Sequence, residues 1–223
     1  MNTNSNTYTV IYASVMVIIV AFVLAFVSQS LKPTQAANVL RDTKKQILSS
    51  VGLADAEDID AKFKEVVTDN IMEADGSLKS VPADKFESNY KVAINKKQYH
   101  VFVIKNGDKT QYVIPVYGRG LWDDIWGYVA INATKTNVEG VYFGHKGETP
   151  GLGARITEAG FRSRFLGKQL RDGSTITLSV AKGKHAVSET TPVDGISGAT
   201  VTSVSVSRMI QECFANYIPF LTK

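Results

Sequence analysis

Three short stretches of this sequence combine glycine with hydroxyl, acidic or aromatic side chains in patterns suited to holding a large polar ligand. The first is Asp194-Gly195-Ile196-Ser197-Gly198-Ala199-Thr200. Gly195 and Gly198 strip side-chain bulk from both sides of Ser197, so the backbone can turn tightly and a bulky group can approach it. Val201-Thr202-Ser203 follows and leads into an apolar pattern of helical period. A helix start carries unpaired N–H groups and a partial positive charge, which makes a hydroxyl-rich turn in front of it a seat for a phosphate group. Ser197 or Thr200 capping the helix is the ordinary role of a hydroxyl there, and is compatible with that chemistry.

The second stretch is Glu148-Thr149-Pro150-Gly151-Leu152-Gly153. Its proline and two glycines allow a tight loop, Leu152 offers an apolar face, and Thr149 and the backbone amides offer hydrogen bonds. Such a loop suits the wall of a flat apolar slot with polar groups at its rim. Read alone it is a plain surface turn. The third stretch, Tyr117-Gly118-Arg119-Gly120-Leu121-Trp122, continues to Trp126-Gly127-Tyr128. Its glycines mark close backbone approach at a strand end. Core or interface packing is the default role of its two tryptophans.

Ser197-Gly198-Ala199-Thr200, preceded by Asp194, resembles the flavinylation motif of membrane flavoproteins in which FMN is joined by a phosphoester bond to the final threonine. With the other two motifs in the same order, the chain is similar to the NqrC family, which belongs to the bacterial Na+-translocating NADH:quinone reductase, the Nqr complex. The G subunit of the related Rnf complex, which works with ferredoxin and NAD, is the nearest alternative. A membrane-tethered binding module without redox chemistry is the other.

The resemblance implies covalent FMN on Thr200, attached by a separate flavin transferase that takes FAD as donor. Asp194, Ser197, Gly198 and Ala199 would form the attachment turn, with Asp194 orienting it or assisting the transferase. It also implies that the loop with Gly151 and Gly153 borders the flavin ring, that Thr149 and Leu152 contact it, and that Glu148 supports the loop or the ring edge. Leu121 and Trp122 are candidates for the flavin's surroundings, and His145 for its rim. The partners implied are the other proteins of the six-membered Nqr complex and the membrane. With no Rossmann fingerprint or Walker loop in the sequence, NADH binding is expected on another subunit.

Composition excludes other chemistry. Twenty-five basic and 21 acidic residues give a net charge of +4 without a dense basic run, so nucleic acid is not indicated. The single Cys213 rules out an intramolecular disulfide and a multi-cysteine metal site. Its place in an apolar pattern points to a buried, inert thiol. His100, His145 and His185 show no metal-ligand spacing, so no metal is expected.

The elements that must position the motifs follow from periodicity. Met1 to Leu31 contains no charged side chain. Taken as a helix, Tyr8 to Val27 is about 30 Å long, enough to cross the hydrocarbon core. The uncharged n-region and long apolar run favour a retained anchor over a cleaved signal. Lys32, Arg41, Lys44 and Lys45 beyond the span would place the large domain in the cytoplasm by charge bias. The resemblance implies the periplasmic side of the inner membrane instead, and that orientation is adopted.

Pro33 is expected to end the membrane helix, with a restart from Thr34 to a stop at Gly52. A second helix has Ile59, Phe63, Val66 and Val67 on one face and Asp58 as N-cap. Residues 74–97 read as a polar connection. Strands are expected at 99–104 and 111–116, joined by Asn106-Gly107-Asp108, then at 127–132, 138–143 and 175–180. A short helix is expected at 157–166 and a last one at 199–218, burying Val206, Met209, Ile210, Cys213, Phe214 and Tyr217. The whole is an α+β fold, a largely antiparallel sheet with flanking helices preceded by one N-terminal transmembrane helix. The expected division is a transmembrane helix at 8–31, a helical linker region at 32–98 and an FMN-binding domain at 99–223.

Overall fold

The computed structural model describes residues 5–82, 90–182 and 192–223 and divides into two units, Met1–Asp42 and Thr43–Lys223. His185 lies outside the described residues. A single helix, α1 (Asn6–Ser50), supplies the first unit and opens the second. In the first unit Ser5 Oγ accepts the N–H of Tyr8 at 3.2 Å and so caps the helix start. Val10 to Val27 leave their apolar side chains exposed on every side, the arrangement of a helix whose surroundings are lipid. This helix is long and apolar enough to cross a membrane, which fits a single-pass anchor.

Pro33 does not end α1 but lies inside it. A proline removes one backbone donor and crowds the carbonyl four residues back. The helix carries that cost and stops where the sequence offers a better exit, at Gly52. There Gly52 N–H donates to Ser49 O at 3.2 Å and Leu53 N–H to Leu48 O at 2.9 Å, with Gly52 at φ +77°. This is a Schellman cap, and its left-handed residue is a glycine as that geometry requires.

The second unit is built on a six-stranded, wholly antiparallel sheet in the order β2-β1-β3-β4-β5-β6. Its strands are β1 (Val67–Met72), β2 (Leu78–Ser80), β3 (His100–Asn106), β4 (Lys109–Arg119), β5 (Asp124–Asn132) and β6 (Val138–His145). Residues 32–98 therefore contribute two strands to the sheet, in stretches that read as helix end and polar connection. The expected hairpin forms with Asn106 paired to Lys109 and Gly107 at φ +58°. A two-residue turn of this kind matches the twist of the strands it joins.

The alternation of the strands gives the sheet two apolar faces. One packs the end of α1 (Ile47, Leu48), α2 (Ile59–Val66) and α3 (Tyr90–Asn95) against Phe102, Ile104, Val113 and Tyr128. Asp58 caps α2 as expected, its carboxylate accepting the N–H groups of Asp60 and Ala61. Gly140 is required on β6 because a Cβ there would strike the carbonyl oxygen of Ser50.

The other face packs α5 (Thr200–Ala215), and all six residues expected on its inner side are buried. The helix ends earlier than expected, and a separate short helix, α6 (Ile218–Leu221), follows. In place of the helix expected at 157–166, a 3₁₀ turn (Gly153–Thr157) ends where it should begin, and the single-turn helix α4 (Ala159–Arg162) and another 3₁₀ turn (Ser163–Phe165) follow. The expected strand at 175–180 is reduced to β8 (Thr175–Ile176), which pairs with β7 (Arg171–Asp172).

Candidate functional site

All three motifs meet at one end of the sheet. Because β4, β5 and β6 are antiparallel neighbours, the end of β4, the start of β5 and the end of β6 share an edge. The loop 120–123 joins β4 to β5, and Gly120 N–H donates to Asp123 O at 2.8 Å across it. That tight closure pushes Leu121 and Trp122 outward. The loop starting at Lys146 leaves β6 beside it and reaches Glu148–Gly153. On the same side, α5 lies so close to β4 that a Cβ on Gly118 would sit 2.9 Å from Met209 Cβ.

Two turns of the same kind face each other here. In the first, Thr149 O accepts Leu152 N–H at 3.1 Å, with Pro150 second and Gly151 third at φ +74°. In the second, Ile196 O accepts Ala199 N–H at 3.0 Å, with Ser197 second and Gly198 third at φ +81°. Positive φ at the third position is the signature of a type II turn and explains both glycines. A Cβ on Gly198 would lie 3.2 Å from Leu152 Cδ2, so the turns are in contact.

The second turn delivers the chain to α5, whose N-cap is Ala199 with no side-chain cap bond. Neither Ser197 nor Thr200 caps the helix, which corrects the simplest reading of those hydroxyls. Among the described residues the N–H groups of Thr200, Val201 and Thr202 have no backbone acceptor, as at any helix start, and stay open to another. Ser203 Oγ instead accepts Ile196 N–H at 2.9 Å and ties the turn to the helix. Arg164 fixes the turn's approach, one guanidinium nitrogen donating to the carbonyls of Asp194 and Gly195 at 3.0 Å each.

Burial separates the hydroxyls. Thr202 is 1% exposed and donates to Glu148 Oε2 at 2.7 Å. Ser203 is buried, whereas Ser197 and Thr200 are exposed. Beside them lies an uncovered apolar patch. In the second unit the exposed large apolar side chains among the described residues are Leu121, Trp122, Leu152, Leu166 and Val201. Four of these five belong to the three motifs or to the first turn of α5. Trp122 is 63% exposed yet held in place. Its indole N–H donates to Thr149 Oγ1 at 3.2 Å and its backbone N–H to Glu148 Oε1 at 3.0 Å.

Two aspartates at the edge are in ion pairs. Asp124 accepts from Lys91 at 3.1 Å, and Asp123 pairs with Lys146 at 3.2 Å. The Tyr117 hydroxyl beside Asp124, then Lys91, hold that carboxyl below its usual range, while burial raises the Tyr117 pKa.

Every site residue expected from the sequence falls in this region: Leu121, Trp122, Glu148, Thr149, Gly151, Leu152, Gly153, Asp194, Ser197, Gly198, Ala199 and Thr200. His145 is also here, its Nδ1 accepting Glu148 N–H at 3.3 Å, so it braces the loop. Trp126 points elsewhere, over Gly144 and to Gln46 at 3.0 Å, and belongs to the sheet's packing. His100 is buried against Asp69 at 2.9 Å, and burial raises the Asp69 pKa despite that pairing. Sequence reasoning placed Thr202 and Ser203 in the hydroxyl-bearing stretch but missed the bonds they make to Glu148 and Ile196, and it missed Arg164 altogether.

The FMN-binding domain family matches residues 120–215, a span that contains the Glu148–Gly153 and Asp194–Thr200 motifs whole and the third from Gly120 onward. The NqrC protein of the Na+-translocating NADH-quinone reductase of Haemophilus ducreyi is 30% identical, over 98% of this chain and 93% of its own length. Its counterpart in Neisseria meningitidis is 31% identical over 96% and 93%. The chain belongs to this NqrC family. Among solved structures, the family member from Parabacteroides distasonis superposes with a TM-score of 0.79 at 31% identity, covering 86% of this chain and 98% of that one. NqrC of Shewanella oneidensis gives 0.69 at 26% identity, covering 81% and 97%. The α+β fold with its antiparallel sheet is thus the fold of the NqrC family.

Proposed function

We propose that this chain is the FMN-carrying electron-transfer subunit of a Na+-translocating NADH-quinone reductase, with FMN held by a phosphoester to Thr200. The observation that carries this reading is that Thr200 is exposed on the open first turn of α5, beside four exposed apolar side chains. Both halves of FMN fit. At the phosphate end, the open N–H groups and the helix dipole favour an anion, and Gly198 leaves room for it. At the ring end, Leu121, Trp122, Leu152 and Val201 offer apolar faces, with Thr149 and backbone amides at the rim. Of the hydroxyls nearby, Thr202 and Ser203 are buried and engaged, which leaves Ser197 and Thr200. The motif resemblance selects Thr200.

In the attachment step Thr200 Oγ1 forms the new bond to phosphorus, and a flavin transferase supplies FAD. The pyrophosphate bond breaks, AMP leaves and the hydroxyl proton passes to solvent. Bound FMN supplies the redox chemistry. The residues of this chain hold it at fixed distance from its neighbours, shield its apolar face and set the polarity around it. NADH binding belongs to another member of the complex. The reading includes a single inner-membrane span, the domain on the periplasmic side and the other Nqr proteins as partners.

The test is in-gel flavin fluorescence after expression with the transferase. Wild-type protein should give a fluorescent band in denaturing gels and Thr200→Ala protein none, at equal amounts in the membrane. A fluorescent Thr200→Ala band of normal intensity would refute the assignment.

A further inference from the structure

Glu148 is 4% exposed, and both of its oxygens are engaged by the other two motifs. Oε1 accepts Trp122 N–H at 3.0 Å and Oε2 accepts the Thr202 hydroxyl at 2.7 Å. Two glycines are shaped around it. A Cβ on Gly120 would collide with Oε1, and a Cβ on Gly153 would collide with Oε2 and come within 2.6 Å of Thr202 Oγ1. Its own N–H is fixed on His145 Nδ1. Among the described residues the carboxylate forms no ion pair. A buried carboxylate held by neutral donors alone is costly to keep, and an apolar contact would fix a loop more cheaply. A directional link between two separate elements is what the carboxylate adds.

We propose that Glu148 is a positioning residue that locks the loop carrying Leu121 and Trp122 to the first turn of α5. One carboxylate then sets the separation between the wall that receives the flavin ring and the helix start that receives its phosphate. Both oxygens face the protein, so Glu148 acts through Trp122 and Thr202 rather than by touching the cofactor. The inference rests on the FMN reading of this site and assigns the residue that makes the two half-sites one.

The test uses the full chain in detergent, expressed with the flavin transferase, and compares Glu148→Ala with Glu148→Gln. Flavin carried per folded chain should fall about tenfold in Glu148→Ala, the lower end of what removing a supporting residue behind a ligand does. Glu148→Gln should restore it, because the carboxamide oxygen can accept Trp122 N–H while its NH₂ donates to Thr202 Oγ1. A second readout needs no cofactor. In a Thr200→Ala, Trp126→Phe background the fluorescence anisotropy of Trp122 should fall with Glu148→Ala and recover with Glu148→Gln.

Wild-type flavin load and anisotropy in Glu148→Ala, or equal loss of both in Glu148→Gln, would overturn the lock. Where Glu148→Ala protein does not accumulate, Thr202→Val keeps the branched shape and removes one arm. Unchanged load and anisotropy there would equally overturn it, and loss of both would support it. If wild-type protein carries no FMN, the function proposed above fails, while the anisotropy comparison still decides the lock.

Discussion

Substituting alanine for Gly153 inserts one methyl group at the most crowded point of the site. The new Cβ overlaps Glu148 Oε2, lies 2.6 Å from Thr202 Oγ1 and 3.2 Å from Glu148 Cβ. The loop has two ways out. It can move as a whole, which strains a tightly packed region, or the carboxylate can swing aside and give up at least one of its two hydrogen bonds. Overpacking of this kind costs about 1–3 kcal/mol. A hydrogen bond to a charged group contributes about 1.5–3 kcal/mol. Either route predicts a loss of about 2 kcal/mol, or roughly 4–8 °C in Tm for a domain of this size.

Gly160 is the internal control, since a Cβ there meets nothing within 4 Å and its φ is not positive. Gly160→Ala in α4 should be neutral or slightly stabilising. Gly151 also has open space, but its φ of +74° makes alanine strained there, at about 1 kcal/mol. Thermal unfolding of the three variants side by side, followed by far-ultraviolet circular dichroism, gives the order Gly160→Ala, Gly151→Ala, Gly153→Ala from most to least stable. A Gly153→Ala protein as stable as Gly160→Ala would refute the crowding around Glu148.

Three further outcomes are expected. Leu152→Ala should leave FMN attached but shift its absorbance and potential, with little loss of stability because the side chain is already 44% exposed; an unchanged spectrum and potential would remove Leu152 from the ring contacts. Burial pushes the Cys213 thiol from 9.0 up to about 11. The sign follows from that raised value: this contribution to stability is complete below pH 9 and is lost as pH rises from 9.0 to about 11. Wild-type protein should therefore lose stability relative to Cys213→Ala across that window, and its native thiol should react slowly with maleimide at pH 8; parallel pH profiles would contradict this. For topology, a Lys79→Cys reporter in a Cys213→Ala background should be labelled in cells whose outer membrane is permeabilised, by a reagent that does not cross the inner membrane. Labelling only after lysis would place the domain in the cytoplasm.

Much of the fold was legible where periodicity and burial coincide. The α5 face and the β3–β4 hairpin follow directly from apolar spacing and from Asn106-Gly107-Asp108. β1 was not legible for a physical reason. Val66 and Val67 extend the helical stripe of α2, and the strand then buries polar residues instead of alternating apolar ones. Asp69 is satisfied by His100, and Asn70 by the carbonyls of Thr68 and Val101. The partners on β3 lie 31 residues away. Pro33 misled because a proline is normally a stop, while α1 tolerates it.

At the site, the glycines announced tight turns and close backbone approach, because each is a local requirement of a turn. The bond from Thr202 to Glu148 spans 54 residues, and nothing local encodes it. The clasp of Arg164 on the carbonyls of Asp194 and Gly195 is likewise a product of the fold.

The most direct measurement is the intact mass of the purified chain after expression with the flavin transferase, followed by mapping of the flavin-bearing peptide. Wild-type protein should exceed its sequence mass by one FMN residue, the Thr200→Ala protein should match its sequence mass, and fragmentation should place the modification on Thr200. An unmodified wild-type chain, a modified Thr200→Ala chain, or a flavopeptide assigned to Ser197 or Thr202 would contradict it.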